Sequence, residues 1–436
     1  MRRRLRVVTL GCSKNTVDTE HLLAQLPSDG FEIVGDGESA DDLLLNTCGF
    51  IGDAKEESVQ AILEAVELKK RGEAGRVAVF GCLSQRYSAE LPAEIPEVDA
   101  WFGARDLGEV LRYLGVRPGP MVTRYPTGCR SYAYLKVSEG CDRRCSYCAI
   151  PYIRGAHRSV PMEDVMKEAE QLVAAGAREL ILIAQDTTYY GLDLYRRRML
   201  APLLHELSTI DGVERLRIHY SYPDDFPEDV IAEMAGNPKV CRYLDIPLQH
   251  ISDKVLSMMH RNVDGAWTRS LIARMRREIP GVVLRTTMIV GHPGEGEKEF
   301  AELLDFVREA RFERLGAFKY SEEEGTYGAR HYEDEVPPEV KQQRLDALME
   351  LQRDISLDYN ASRVGSVVRA LVDDVMDGNL VCRSEFESPE VDGEILVRDA
   401  SGLVRPGDFI DVRICEAGDY DLTGEIGLVD KIHDES

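Results

Sequence analysis

The chain has 436 residues, more than one ordinary domain holds, and about two to four domains are expected. Apolar residues make up 44% of it, enough for packed cores, yet no apolar run approaches the roughly 18 residues that cross a bilayer. A formal net charge of −24 argues against general affinity for nucleic-acid phosphates.

In chain order, the start MRRRLRVVTLGC is basic but lacks an apolar leader segment or a small-residue cleavage site, and it reads as a first strand. Residues 1–115 alternate strand and helix. RVVTLGC, DDLLLNTC and RVAVFGC are apolar, β-branched runs, and stretches such as SVQAILEAVELKKRG between them are helical, which predicts a doubly wound parallel α/β layer. The Pro/Gly-rich segment 116–131 reads as a linker. Residues 132–360 hold six strand candidates, YAYLKVS, ELILIAQD, RLRIHYSYP, YLDIPLQH, VVLRTTMIVG and RLGAFKYS, each followed by a helical stretch. Six βα units fall short of the eight of a complete barrel, so a partial, open-sided (βα)6 barrel is predicted, closing with a long helix over PPEVKQQRLDALMELQRDISLDYN. Residues 361–436 contain about five short strands with Gly and Asp turns (VVRALVDDV, NLVCRS, GEILVRD, DFIDVRICEA, DLTGEIGLVD), the pattern of a small all-β barrel of oligonucleotide-binding type.

Ten cysteines in no disulfide-like framework point to a reducing cytoplasm and to metal ligation. Cys141, Cys145 and Cys148 lie together in SEGCDRRCSYCAIPYIRG. Three thiolates at this spacing can hold three irons of a 4Fe-4S cluster and leave the fourth without a protein ligand. A zinc site would need paired Cys or His at knuckle spacing, and no nearby His completes one. Cys12, Cys48 and Cys82 each end an apolar strand and each stand beside a glycine, Gly11, Gly49 or Gly81, that permits close backbone approach. Carboxyl ends of parallel strands share one edge, so these three thiols can converge on a second candidate cluster site; the alternative is that strand-end Cys serve as small buried hydrophobes. Cys129, Cys241, Cys382 and Cys415 lack such a pattern and read as structural.

The Cys-x-x-x-Cys-x-x-Cys run, with Tyr147 before its last Cys, resembles the signature of the radical S-adenosylmethionine enzymes. With the three amino-terminal cysteines and the terminal β-barrel, the whole chain is similar to the methylthiotransferases of that superfamily, whose small barrel is a TRAM domain. The resemblance implies two 4Fe-4S clusters with three Cys ligands each, and no catalytic residues beyond those ligands. The amino-terminal, auxiliary cluster would carry the sulfur. S-adenosylmethionine would serve twice, as methyl donor and as radical source, and a low-potential reductant such as a flavodoxin or ferredoxin would supply the electron. By the same resemblance, Tyr147, Gln185, Asp186, Thr187, Gln249, Arg285, Gly291 and Gly294 fall in the regions that contact S-adenosylmethionine, with His250 and Pro293 beside them; for Asp186 and Gln249, strand-end capping is an equal alternative.

Two branches of the family differ in substrate, one modifying a tRNA adenosine and the other the β-carbon of an aspartate in small-subunit ribosomal protein 12. LGCSKNTVDTEHLL, NTCGFI and FKYSEEEGTYGA resemble the second, because the tRNA branch has Arg-Pro in place of Glu323 and Glu324. Tyr147, His292 and Gly296 depart from the commonest residues at their positions, Phe, Phe and Thr. Residues 360–436 carry 7 Lys and Arg against 18 Asp and Glu, a net of −11 that repels tRNA and suits a basic ribosomal protein. Asp373, Asp374, Glu385 and Glu387 are expected on the surface that meets it. The competing readings are a tRNA methylthiotransferase and a non-enzymatic iron-sulfur carrier. The source of the sulfur is not legible.

Overall fold

In the computed structural model, which describes residues 2–398 and 402–427, three sheets follow one another along the chain. The first has five parallel strands, β1 (Arg3–Thr9), β2 (Phe31–Ile33), β3 (Ala40–Thr47), β4 (Ala74–Gly81) and β5 (Ala100–Trp101), in the order β2-β1-β3-β4-β5. The three long strands are those the apolar runs predict; β2 and β5 are too short to show in the sequence. Their order changes direction between β1 and β3, the switch point where ligands bind in sheets of this kind.

The second sheet has six parallel strands in the order β13-β12-β11-β10-β9-β6: β6 (Tyr132–Lys136), β9 (Glu179–Ile183), β10 (Arg215–Ile218), β11 (Val240–Asp245), β12 (Val283–Val290) and β13 (Arg314–Lys319). A two-stranded ribbon, β7 (Ser138–Glu139) with β8 (Arg158–Ser159), brackets the loop that carries the central cysteines. On the outer face Leu180, Leu182, Leu216, Ile218, Leu244, Ile246 and Leu284 pack on helix residues such as Leu172, Leu203, Val230, Ile272 and Leu303. Each fully buried side chain of this size contributes roughly 2 kcal/mol. The open (βα)6 barrel is therefore present, with its outer core built as alternation dictates.

The third unit is a closed five-stranded barrel of β14 (Val367–Met376), β15 (Asn379–Arg383), β16 (Ile395–Arg398), β17 (Phe409–Ala417) and β18 (Leu422–Ile426), closed by the parallel pair β16–β18. The ends of two expected strands, Asp399 and residues 428–430, lie outside the described residues. No helix among those described is long and apolar enough to cross a membrane.

The inner face of the six-stranded sheet is filled from both ends. From the carboxyl end comes the helix Ser13–Ala24, whose Val17 packs with Tyr134, Ile181 and Ile183. From the amino end the loop 384–392 enters, and a buried ionic network ties it down. Glu179 pairs with Arg217 and Arg383, and Glu387 with Arg314 and Arg363. Burial by itself would raise both carboxyls, but the guanidiniums around them, Arg217 and Arg383 at Glu179, Arg363 and Arg314 at Glu387, hold each at about 2.

The network corrects the surface expected from composition. Asp373 pairs with Arg383, Glu385 with Arg242, and Glu387 is 1% exposed; of the four acids named, Asp374 faces solvent. Further exposed acids on this unit are Asp377, Glu390, Glu394, Asp408, Asp411, Glu416, Asp419, Asp421 and Glu425.

Candidate active site between two cysteine sets

Cys12, Cys48 and Cys82 follow β1, β3 and β4 at one edge of the first sheet. Gly11 has φ +89, and a Cβ there would lie 2.9 Å from the Cys48 sulfur; Gly81 has φ +108, and its Cβ would lie 2.6 Å from the Thr47 carbonyl. Only glycine permits this approach, which brings the ends of β1, β3 and β4 together. Ser58 Oγ accepts the Cys48 N–H at 3.0 Å and donates to the Cys48 carbonyl at 2.9 Å. Cys12 is exposed, whereas Cys48 and Cys82 are buried. Burial pushes the Cys48 thiol up, and Cys82 up to about 11 despite the charge of Arg154. Metal ligation at this edge must therefore expel protons.

Cys141, Cys145 and Cys148 lie in the loop after β6, at the carboxyl end of the second sheet. The loop is fixed by backbone bonds from Cys141 N–H to the Gly155 carbonyl (3.0 Å) and from Ser146 N–H to the Met259 carbonyl (3.0 Å). The Tyr222 hydroxyl is 3.8 Å from Cys145 Sγ. Burial raises the Cys141 thiol to about 12 and Cys148 higher still. Among the described residues no three His, Cys, Asp or Glu converge on a point where a lone metal ion would sit. Ligands of a multi-iron cluster bind different irons and need no such point.

One side chain joins the two sets. Arg154, six residues after Cys148 and 2% exposed, donates Nε–H to Cys82 Sγ at 3.2 Å and Nη2–H to Asn15 Oδ1 at 2.5 Å. Its Nη1 pairs with Asp18 (2.6 Å) and Glu139 (3.2 Å). Glu139 in turn accepts from Gln185 Nε2 at 2.9 Å, so hydrogen bonds run from Cys82 to the end of β9. Glu323 makes a second tie: its buried carboxylate takes Lys55 (2.9 Å) and Arg86 (2.7 Å), and Arg86 also holds the Gly49 carbonyl at 3.0 Å. Glu323, one of the residues on which the resemblance to the ribosomal-protein branch rests, thus lies in the seam beside the first cysteine set.

The residues expected near S-adenosylmethionine divide into two groups. Tyr147, Gln185, Asp186, Thr187 and Gln249, with the Gly291–Gly294 turn, gather at the carboxyl ends of β6, β9, β11 and β12, the end from which barrel active sites are built. Gln185 Oε1, Gln249 Oε1 and Arg143 Nη2 are buried with no hydrogen-bond partner among the described residues. Gln249 also holds φ +79, a strained conformation for its type. Buried thiols beside unsatisfied amide oxygens and a guanidinium N–H suit a cluster with a polar, charged cofactor. Asp186 caps the turn after it, accepting from Thr188 N–H (3.0 Å) and Oγ1–H (2.6 Å), and its other oxygen holds Arg143 Nε at 3.0 Å. Thr187 Oγ1 donates to the His219 carbonyl at 3.0 Å, a structural bond.

Arg285 lies apart from that gathering and forms the second group alone. It lies near the amino end of β12, pairs with Asp245 at 3.0 Å and reaches Asp392 of the loop from the terminal barrel. It lines a cavity of about 390 Å³ with Glu313, Gly316, Asp392 and Tyr420, a cavity that no cysteine lines. His250 is fully buried with Glu295, Nε2 to Oε2 3.3 Å, and Glu295 braces the turn by accepting the Gly291 N–H. His292, where Phe is commoner, keeps an aromatic role, its ring edge-on to Tyr147 at 6.4 Å and to Tyr320 at 4.9 Å. Cys241 and Cys382 are buried in cores, but Cys415 is exposed and structural in no visible way.

Residues 4–103 match the family described as Uncharacterized protein family UPF0004, residues 135–307 the Radical SAM superfamily, and residues 364–426 the TRAM domain. Membership of the Radical SAM superfamily brings an iron-sulfur cluster and S-adenosylmethionine as cofactors. A protein of Porphyromonas gingivalis named ribosomal protein uS12 methylthiotransferase RimO is 51% identical over 430 residues, covering 98% of this chain and 99% of that protein. A protein of the same name from Bacteroides thetaiotaomicron is 48% identical over 429 residues, 98% of each chain. Among solved structures the radical S-adenosylmethionine methyltransferase TsrM of Kitasatospora setae shares the fold, with TM-score 0.56 and 15% identity over 93% of this chain and 84% of that one. The arrangement of cysteines and the full-length relatives lead to one assignment: the chain belongs to the RimO-type radical S-adenosylmethionine methylthiotransferase family.

Proposed function

We propose that the protein inserts a methylthio group at the β-carbon of an aspartate in ribosomal protein uS12. The observation that carries this is the Arg154 bridge, which holds the strand-end cysteines of one sheet against the cysteine loop of the other. On this reading Cys141, Cys145 and Cys148 hold the radical-generating cluster, and Cys12, Cys48 and Cys82 a second, sulfur-bearing one. When bound, the first supplies the electron that cleaves S-adenosylmethionine to a radical, and the second presents the sulfur.

The chain's own residues do the holding. Gln185 and Gln249 offer their unsatisfied amide oxygens to the ammonium and hydroxyl groups of S-adenosylmethionine. Asp186, with one face occupied by Thr188 and Arg143, orients the loop in place of a direct contact. Arg154 keeps positive charge on Cys82, which favours its thiolate. The exposed acids Asp374, Asp408, Asp411 and Glu416 give the terminal barrel the charge that attracts the basic substrate and repels RNA. A low-potential electron carrier completes the system, and the reaction belongs in the cytoplasm.

The test is an anaerobic assay with reduced enzyme, S-adenosylmethionine and uS12, read by mass spectrometry. The expected product is methylthiolated uS12. Modification of tRNA in its place would establish the other branch, and absence of any S-adenosylmethionine cleavage would leave only an iron-sulfur carrier.

A further inference from the structure

The helix Ser13–Ala24 buries polar residues on nearly every side. Asn15, Asp18, Thr19, Glu20 and His21 each have a polar partner. Lys14 is the exception. It is 8% exposed, yet its ammonium makes no hydrogen bond or ion pair with any described residue and rests 3.1 Å from the centroid of the Tyr220 ring. A cation taken out of water without a counter-ion is costly, and a tyrosine face returns only part of that cost.

Its position gives the charge a use. Lys14 is two residues past Cys12, and Tyr220 is two residues before Tyr222, whose hydroxyl lies at Cys145 Sγ. The Lys14–Tyr220 contact therefore joins segments that lead, within two residues, to one cysteine set on each side. Tyr220 itself holds φ +58, an outlying conformation for a bulky residue. It is pinned there by its N–H to Asp245 Oδ2 (3.0 Å) and by its carbonyl accepting from Thr187 N–H (3.1 Å). Asp245 is already committed to Arg285, and no acidic residue occupies the first turn of the helix to neutralise Lys14. Strain held beside an unpaired buried cation fits a preformed anion site.

We propose that Lys14 binds the carboxylate of the substrate aspartate and so determines that an acidic side chain, rather than its amide, is modified. The role rests on the aspartate substrate proposed above. The reacting carbon is bonded directly to that carboxylate, so anchoring the carboxylate fixes the carbon between the two sites. A charge-assisted bond in a buried site discriminates against the uncharged isostere.

The test is a double-mutant cycle on binding. Reconstituted wild-type enzyme and its Lys14→Met variant are titrated with uS12 and with uS12 carrying Asn at the modified aspartate. Wild type should prefer Asp by at least about tenfold, Lys14→Met by less than about twofold, and Lys14→Arg should recover part of the preference because it keeps the charge. Iron content and S-adenosylmethionine affinity are measured on the same samples. Full Asp preference in Lys14→Met overturns the assignment. So does loss of iron or of S-adenosylmethionine affinity in that variant, which would make Lys14 a cofactor residue. If wild type binds neither form of uS12, the aspartate substrate itself is wrong and this role falls with it.

Discussion

Cys141, Cys145 and Cys148 share one short loop, tightened by Cys148 N–H to the Cys145 carbonyl and anchored to Gly155 and Met259, whereas Cys12, Cys48 and Cys82 come from three strand ends that only the folded sheet brings to one edge. The first site is a property of a short sequence. The second is a property of β1, β3 and β4 in register, of two glycines at positive φ, and of an arginine supplied by the other sheet. Damage to the seam should therefore strike the two sites unequally, and the sharpest tests exploit that asymmetry.

The largest contrast is in chemistry. Cys145→Ala should abolish reductive cleavage of S-adenosylmethionine, measured as 5'-deoxyadenosine formed. Cys48→Ala should leave cleavage within a few-fold of wild type while stopping sulfur insertion. Loss of cleavage in both folded variants would break the division of labour.

Arg154 tests the seam. Arg154→Leu leaves Asp18 and Glu139 with Lys136 as their remaining ionic partner, a loss of about 1.5–3 kcal/mol that thermal unfolding would register. Arg154→Lys keeps the charge but not the fork that reaches Cys82, Asn15 and Asp18 together, so the loss of stability should be smaller and iron should be lost from the Cys82 side first. Equal loss of iron from both sites would show that the bridge serves them alike.

The opposite end of the barrel should respond to acid. Glu179 and Glu387 titrate at about 2 in the folded chain, below the ordinary value near 4.5. Their stabilisation is complete above that ordinary value and is lost as pH falls toward 2, on the order of 3 kcal/mol apiece. Near pH 3 the terminal barrel should loosen first, seen as hydrogen exchange rising in residues 367–398 ahead of the two cysteine sites. Simultaneous exchange everywhere would contradict a barrel held by these carboxylates.

Legibility in sequence followed the same divide. Apolar, β-branched runs announced all six strands of the large sheet and the five of the terminal barrel, and repetition of Cys beside Gly at three strand ends pointed to the edge that Cys12, Cys48 and Cys82 share. Arg154 gave no such signal, since its partners Asp18 and Asn15 lie 136 and 139 residues away. The helix Ser13–Ala24 is polar on faces that turn out to be buried, so no hydrophobic stripe reveals that it enters the barrel. Arg285 was expected near S-adenosylmethionine by resemblance, as part of the strand that leads to the Gly291–Gly294 turn, but it is the third residue of that strand, level with the loop from the terminal barrel. Charge counting gave the sign of the terminal barrel but not the position of its acids: it weighs buried, paired Glu387 like exposed Asp374.

The central claim is that two separate three-cysteine sites each hold a cluster. Iron content after anaerobic reconstitution tests it most directly. Wild type should bind about eight irons per chain, and the triple Ala variants of Cys141, Cys145 and Cys148 or of Cys12, Cys48 and Cys82 about four each. A wild-type content near four, or a fall to zero in either triple variant while it remains folded, would contradict the account.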